Sequence, residues 1–145
     1  MSNIDTHNSS NDLNDFDAII IGAGFAGMYM LHKLRGQGLR VRVYERGDDV
    51  GGTWYWNRYP GARCDLESMD YSYSFDEDLQ QDWDWREKYG TQPELLKYAR
   101  HVADRFKLRS DIVFETKITS ARYNIEAQTW DIITDQEDTV SAAHL

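Results

Sequence analysis

A single cysteine, Cys64, stands among 145 residues, so no internal disulfide can staple this chain, and no Cys/His cluster has the spacing of a zinc site. No metal centre is expected. Basic clusters are equally scarce. Sixteen Lys and Arg stand against 25 Asp and Glu, a formal net charge of −9, which argues against nucleic acid or an anionic membrane surface as a partner. No apolar run approaches the roughly 20 residues that a bilayer-spanning helix needs. The N-terminus carries Asp and Asn where a signal peptide would carry a basic segment and an apolar one. A soluble, cytoplasmic protein is the expectation. There are no internal repeats, and the length suits one domain with a real core but not two nucleotide-binding domains of ordinary size. Residues 1–14 are rich in Asn, Asp and Ser with almost no large apolar side chain, which predicts a disordered tail ahead of a domain over 15–145.

What is present is a glycine pattern in a telling place. Asp17-Ala-Ile-Ile-Ile-Gly-Ala-Gly-Phe-Ala-Gly27 runs from an apolar stretch into Gly22, Gly24 and Gly27, then into Met28, Leu31 and Leu34 at helical spacing before Gly36 and Gly38. In such a turn the first glycine permits the tight bend, the second lets backbone approach a pyrophosphate, and the third lets helix and strand pack closely. The helix N-terminus then offers unpaired N–H groups to an anion. Leu39, Val41, Val43 and Tyr44 form a second strand ending in Glu45, about twenty residues past the glycines, where a carboxylate holds a ribose 2′-hydroxyl. That carboxylate repels a 2′-phosphate, which disfavours NADP here. Arg46 beside it could accommodate one, but Glu45 is the better placed, leaving FAD or NAD.

The segment Gly51-Gly-Thr-Trp-Tyr-Trp-Asn-Arg-Tyr-Pro-Gly-Ala-Arg-Cys-Asp65 has neither helical nor strand periodicity. Long irregular loops in compact domains are usually functional or disordered. Trp54, Tyr55, Trp56 and Tyr59 argue for order, because so much aromatic surface is costly to leave in water. The loop either packs against a planar ligand or forms an aromatic satellite core. Tyr73 and Phe75 read as core, with Tyr71 as the possible exception. Thr91-Gln-Pro-Glu94 matches a capping box ahead of a helix whose Leu95, Ala99, Val102 and Phe106 make one apolar stripe. Ile112–Phe114 reads as a strand, and the runs from Ile118 and over Thr129–Thr134 suggest a small antiparallel meander. His32 and His101 read as ordinary helical histidines.

These motifs together, Gly22-Ala-Gly-Phe-Ala-Gly27, the Trp-rich loop to Asp65, and Glu67-Ser68, resemble the N-terminal segment of the Baeyer–Villiger monooxygenases, from about Asp15 to the end of the chain. The resemblance implies an α/β, Rossmann-like three-layer FAD-binding domain, incomplete here, with a parallel sheet and a small antiparallel meander. It implies FAD over Gly22, Gly24, Ala26 and Gly27, with its ribose on Glu45. Gly52, Thr53, Trp54, Tyr55 and Trp56 would run along the cofactor, Asp65 and Tyr71 would touch it, and Ile118 would meet the adenine through its backbone. Arg63, Cys64 and Asp65 match positions that face NADPH. The implied reaction is NADPH-dependent insertion of one oxygen atom from O₂ into a ketone, giving an ester or lactone. Asp65 would serve catalysis by orienting an arginine that this chain does not contain.

The second glycine fingerprint for NADPH is also absent, so the chain looks like an N-terminal fragment, or a natural truncation, that would be inactive alone. On that reading the strand beside Ala18–Ile21 is missing, and the fragment would self-associate through an open edge. Two alternatives stay open: an enzyme hydroxylating nitrogen or sulfur on a similar flavin scaffold, and a non-catalytic nucleotide-binding module.

Overall fold

The computed structural model describes residues 14–145, so the expected N-terminal tail lies outside the described residues apart from Asn14. The apolar run ahead of the glycines forms β1 (Phe16–Ile21), α1 (Phe25–Gly36) follows, and β2 (Val41–Tyr44) lies parallel to β1 with Ala18 opposite Val41 and Ile20 opposite Val43. The helix ends where its sequence stops supporting it. Gly38 takes a φ of +81°, and Gln37 and Gly38 donate their N–H groups back to Leu34 and Arg35.

The stretch read as irregular contains one helical turn, α2 (Thr53–Trp56), and a further short helix follows, α3 (Glu77–Gln81), whose N-cap Asp76 accepts from Leu79 N at 2.7 Å. The longest helix, α4 (Gln92–Arg105), starts where the capping signal places it, but by another device. Thr91 makes no side-chain cap hydrogen bond, and Glu94 accepts from Arg86 N at 2.9 Å instead of reaching back to the cap. Apart from two short 3-10 turns, Ser68–Tyr71 and Arg109–Asp111, the remaining elements are strands: β3 (Ile112–Val113), β4 (Ile118–Asn124), β5 (Thr129–Thr134) and β6 (Thr139–His144).

Among the described residues six strands form one sheet in the order β3-β2-β1-β6-β5-β4. Its first four strands run parallel, and β4, β5 and β6 form the antiparallel meander. One strand therefore serves two partners: Ala142 of β6 lies opposite Trp130 of β5 on one side and opposite Phe16 of β1 on the other. The open edge expected at Ala18–Ile21 is narrowed, since this pairing covers β1 only as far as Ala18. The neighbour of β1 is the last strand of the meander itself, which pairs as far as Ala18 with His144.

Alternation along β1 and β2 divides the core. Ala18, Val41 and Val43 face α1 and α4, meeting Met28, Leu31, Ala99 and Ala103, while Ile19 and Tyr44 point to the other face and cluster with Ala142 and Ile132 of the meander. Each large apolar side chain buried this way stabilises the fold by roughly 1.5–3 kcal/mol. Tyr73 and Phe75 pack against Leu79, Tyr98 and Val102, as core residues should. His32 sits between the rings of Phe75 and Phe106, at 4.6 and 4.7 Å. Among the described residues no helix is long and apolar enough to cross a membrane, and no group of three His, Cys, Asp or Glu could hold a metal ion.

Candidate functional site

The site begins where β1 runs out. Gly22 bends the chain with a φ of +94°, and its N–H donates to Tyr44 O at 2.8 Å. A Cβ on Gly27 would sit 2.0 Å from Gly22 O, so the absence of one lets α1 approach the turn. Gly24 is the N-cap of α1 and has no side chain to cap with, no acidic residue stands in the first turn, and the first helical bond runs from Met28 N to Gly24 O. The leading amides of α1 are thus left to whatever lies in front of them.

A second glycine pair meets the first. Gly52 has a φ of +55°, and a Cβ there would be 2.8 Å from the Cα of Gly24. Backbone packs on backbone, and Gly51 N donates to Ala23 O at 3.0 Å. Glu45 completes the joint. It is only 4% exposed, and its two carboxylate oxygens accept from Ala23 N at 2.8 Å and Gly47 N at 2.7 Å. Each carboxylate oxygen has a second lone pair, so a ribose hydroxyl can still be accepted there.

Two clefts flank this joint and share Ile21, Gly22, Gly24, Gly52 and Thr53. The first, about 440 Å³, is also lined by Glu45, Trp56 and Ile118, and the second, about 420 Å³, by Ala26, Gly27, Trp54 and Tyr71. Eleven sites expected from the sequence therefore meet along one trough: Gly22, Gly24, Ala26, Gly27, Glu45, Gly52, Thr53, Trp54, Trp56, Tyr71 and Ile118.

Four others lie outside it. Tyr55 turns away, its hydroxyl donating to Asp48 at 2.6 Å. Arg63 pairs with Glu87 at 2.5 Å and donates to Tyr89 O at 2.9 Å. Cys64 is buried with Trp54, Leu95 and Leu96, and Asp65 is exposed. Even so, Cys64 and Asp65 are close enough to be felt at the trough. The Tyr71 hydroxyl is pushed above its ordinary pKa first by burial and then by its electrostatic interaction with Cys64 and Asp65. Tyr44 is raised too, again chiefly by burial. Both phenols stay protonated at neutral pH and can donate.

Sequence reasoning missed several residues of this region. Thr116 and Lys117 line the first cleft together with Arg46 and Trp56. They are placed there by Thr116 N donating to Glu45 O at 3.0 Å and by Glu115, at a φ of +52°, donating to Gly47 O at 2.9 Å. Gln92 of α4 is buried and donates its side-chain N–H to Trp54 O, which fixes α2 from behind. Nothing in the local pattern marks these positions, because each acts through a contact with a segment distant in sequence.

The arrangement suits a dinucleotide: glycines where a Cβ would fill the cradle, uncapped helix amides for a pyrophosphate, and a carboxylate for a ribose. The profile of a NAD(P)-binding Rossmann-like domain matches residues 20–84. A Baeyer–Villiger monooxygenase from Pseudooceanicola batsensis is 51% identical over 144 residues, 99% of this chain and 26% of that protein. The chain is a homologue of the Baeyer–Villiger monooxygenases. A phenazine N-monooxygenase from Lysobacter antibioticus is 50% identical over 136 residues, 93% of this chain and 25% of that protein. Among solved structures, an oxidized steroid monooxygenase bound to NADP superposes with a TM-score of 0.86 at 58% identity, covering 88% of this chain and 24% of that one. OTEMO in complex with FAD and NADP does so with a TM-score of 0.85 at 40% identity, over 89% of this chain and 24% of that one. The chain spans about a quarter of the length of the curated relatives it matches. Its α/β fold is thus Rossmann-like in structure and in relationship.

Proposed function

We propose that this chain is the FAD-binding portion, over residues 15–145, of an FAD- and NADPH-dependent monooxygenase that inserts one oxygen atom of O₂ into a ketone to give an ester or lactone. The observation that carries the reading is the trough along the two glycine loops, in a chain 51% identical to a Baeyer–Villiger monooxygenase over nearly its whole length. FAD, when bound, supplies the oxygen-transfer chemistry, and NADPH the reducing equivalents. The protein's own groups bind and orient. The first-turn amides of α1 hold a pyrophosphate, Glu45 accepts from a ribose hydroxyl, and the protonated Tyr71 donates into the far end of the trough.

Asp65 acts by position. Exposed beside the trough, it is free to hold a cation from outside this chain, which is the role of a carboxylate that orients an arginine. Arg63 and Cys64 flank it as the NADPH-facing residues. The chain by itself lacks that arginine and a second nucleotide fingerprint, and it is not expected to turn over. The buried, unpaired Cys64 fits a reducing cytoplasm. Self-association through β1 loses its basis over Phe16–Ala18, where β6 covers the edge.

A second reading has its own support. The phenazine N-monooxygenase is nearly as similar as the ketone-oxidising relative, so oxidation at nitrogen fits the same scaffold. The test is to give the parent protein NADPH, ¹⁸O₂, cyclic and linear ketones and a phenazine, and to read the products by mass spectrometry. One ¹⁸O in an ester or lactone supports ketone oxidation, an N-oxide supports the second reading, and a parent that oxygenates neither class would sink both.

A further inference from the structure

Tyr73 packs as a core residue, yet its hydroxyl reaches a backbone carbonyl, donating to Phe25 O at 2.5 Å. Phe25 is the first residue of α1. The segment that carries the phenol is pinned on both sides: Tyr73 N donates to the hydroxyl of the buried Tyr98 at 2.8 Å, and Gln80 Nε2 donates to Tyr73 O at 3.3 Å. The Tyr73 ring lies 5.6 Å from that of Phe25 and 6.1 Å from that of Tyr98. Burial first, and then the interaction with Tyr98, pushes the phenol above its ordinary range. The hydroxyl therefore keeps its proton and stays a donor.

The carbonyl it reaches belongs to the same peptide unit as the Ala26 N–H. Since the first helical bond runs from Met28 N to Gly24 O, the amides of Phe25, Ala26 and Gly27 have no partner within the helix, and among the described residues they find no other acceptor. Ala26 lines the trough. A hydrogen bond accepted by a peptide carbonyl draws electron density from the N–H of that peptide, and each bond in such a chain strengthens the next by roughly 10–30%. The phenol is thus wired to one of the amides that face an anion. Packing does not ask for the hydroxyl, because a phenylalanine ring would fill the same space among Phe25, Phe75 and Tyr98.

We infer that Tyr73 is a positioning residue for the pyrophosphate of the dinucleotide: through the Phe25–Ala26 peptide, its hydroxyl orients and strengthens the Ala26 N–H as a donor to the anion. This rests on the nucleotide reading of the trough and adds to it a side chain that does not itself line the trough. The competing outcome is that Phe25 O does no more than satisfy a buried phenol.

Three forms of the 145-residue chain separate the two: the wild type, Tyr73→Phe, and the chain with a ring-fluorinated tyrosine incorporated at position 73. The fluorinated phenol has nearly the same shape and is a stronger donor, and at mildly acidic pH it keeps its proton. Isothermal titration calorimetry with inorganic pyrophosphate and with FAD should give binding about threefold weaker in Tyr73→Phe and tighter than wild type in the fluorinated form. In the ligand-free chain the amide nitrogen resonance of Ala26 should move in opposite directions in the two altered forms, a response that packing alone would not produce. Weaker binding in both altered forms would show that Tyr73 serves the fold only and overturn the inference, as would an Ala26 resonance that does not respond. If pyrophosphate and FAD bind all three forms equally, the role of Tyr73 fails and the nucleotide site stands. If neither binds the wild type, the nucleotide reading fails and this inference with it, whatever the parent's products show.

Discussion

Gly22 and Gly27 belong to one motif and are required for different physical reasons, which makes them separable by substitution. A Cβ on Gly22 would meet nothing within 4 Å, but the residue sits at a φ of +94°. Gly22→Ala is therefore expected to cost about 1–3 kcal/mol through backbone strain alone. A Cβ on Gly27 would lie 2.0 Å from Gly22 O, in a position where α1 must move off the strand. Gly27→Ala is expected to cost about 3 kcal/mol or more and to widen the helix–strand spacing. Urea unfolding of the two variants checks the order, and a Gly27→Ala variant no less stable than Gly22→Ala would contradict the steric account. The spacing of these glycines was readable in the sequence because it reflects local geometry. The use of both Glu45 oxygens by Ala23 N and Gly47 N was not, since it depends on where a loop after β2 happens to bend. The same limit hid Arg46 as a partner of Trp56, ten positions on and in another element.

At the level of elements, the loop after β2 is tied to α4 and to the turn beyond it through one carboxylate. Asp49 accepts from Arg100 Nε at 2.6 Å, from Arg109 Nη1 at 2.8 Å and from Val50 N at 2.8 Å. Burial works to raise its pKa, but the hydrogen bonds from Arg109 and Arg100 outweigh that and hold the carboxyl below its ordinary 3.8. A carboxyl lowered on folding contributes stability that is fully present above the unfolded value and is lost as pH falls through the folded one. Asp49→Asn should thus destabilise the protein by about 1–2 kcal/mol at neutral pH, a figure kept modest because both arginines are partly solvated. The gap to the wild type should close below about pH 3.8. Urea midpoints of both proteins at pH 7, 5 and 3 measure it, and a gap that persists unchanged at pH 3 would rule the charge out as its cause. Helices α1 and α4, with β1, β2, β4 and β5, were legible because their apolar periods run long enough to show. The one-turn α2 was not, for a helix that short is held by Gly51, Gly52 and Gln92 rather than by its own sequence.

For the molecule as a whole, the decisive element is the one the sequence pattern did not reveal. Val140 and Ala142 alternate over too few residues to announce a strand, yet β6 joins the meander to the parallel sheet, and Ala142 at its centre is fully buried between Phe16 and Trp130. A fold with this seam has no separable halves: the meander cannot detach without exposing the other face of β1, where Ile19 packs with Ile132 and Ala142. Unfolding in urea should therefore be one transition, with tryptophan fluorescence and far-UV circular dichroism giving the same midpoint. Ala142→Glu places an unpaired charge in the seam and should cost about 3 kcal/mol or more, lowering both midpoints together. Two resolved transitions in the wild type, or a variant in which only the meander signal is lost, would show instead that β6 binds the parallel sheet too weakly to unite the two.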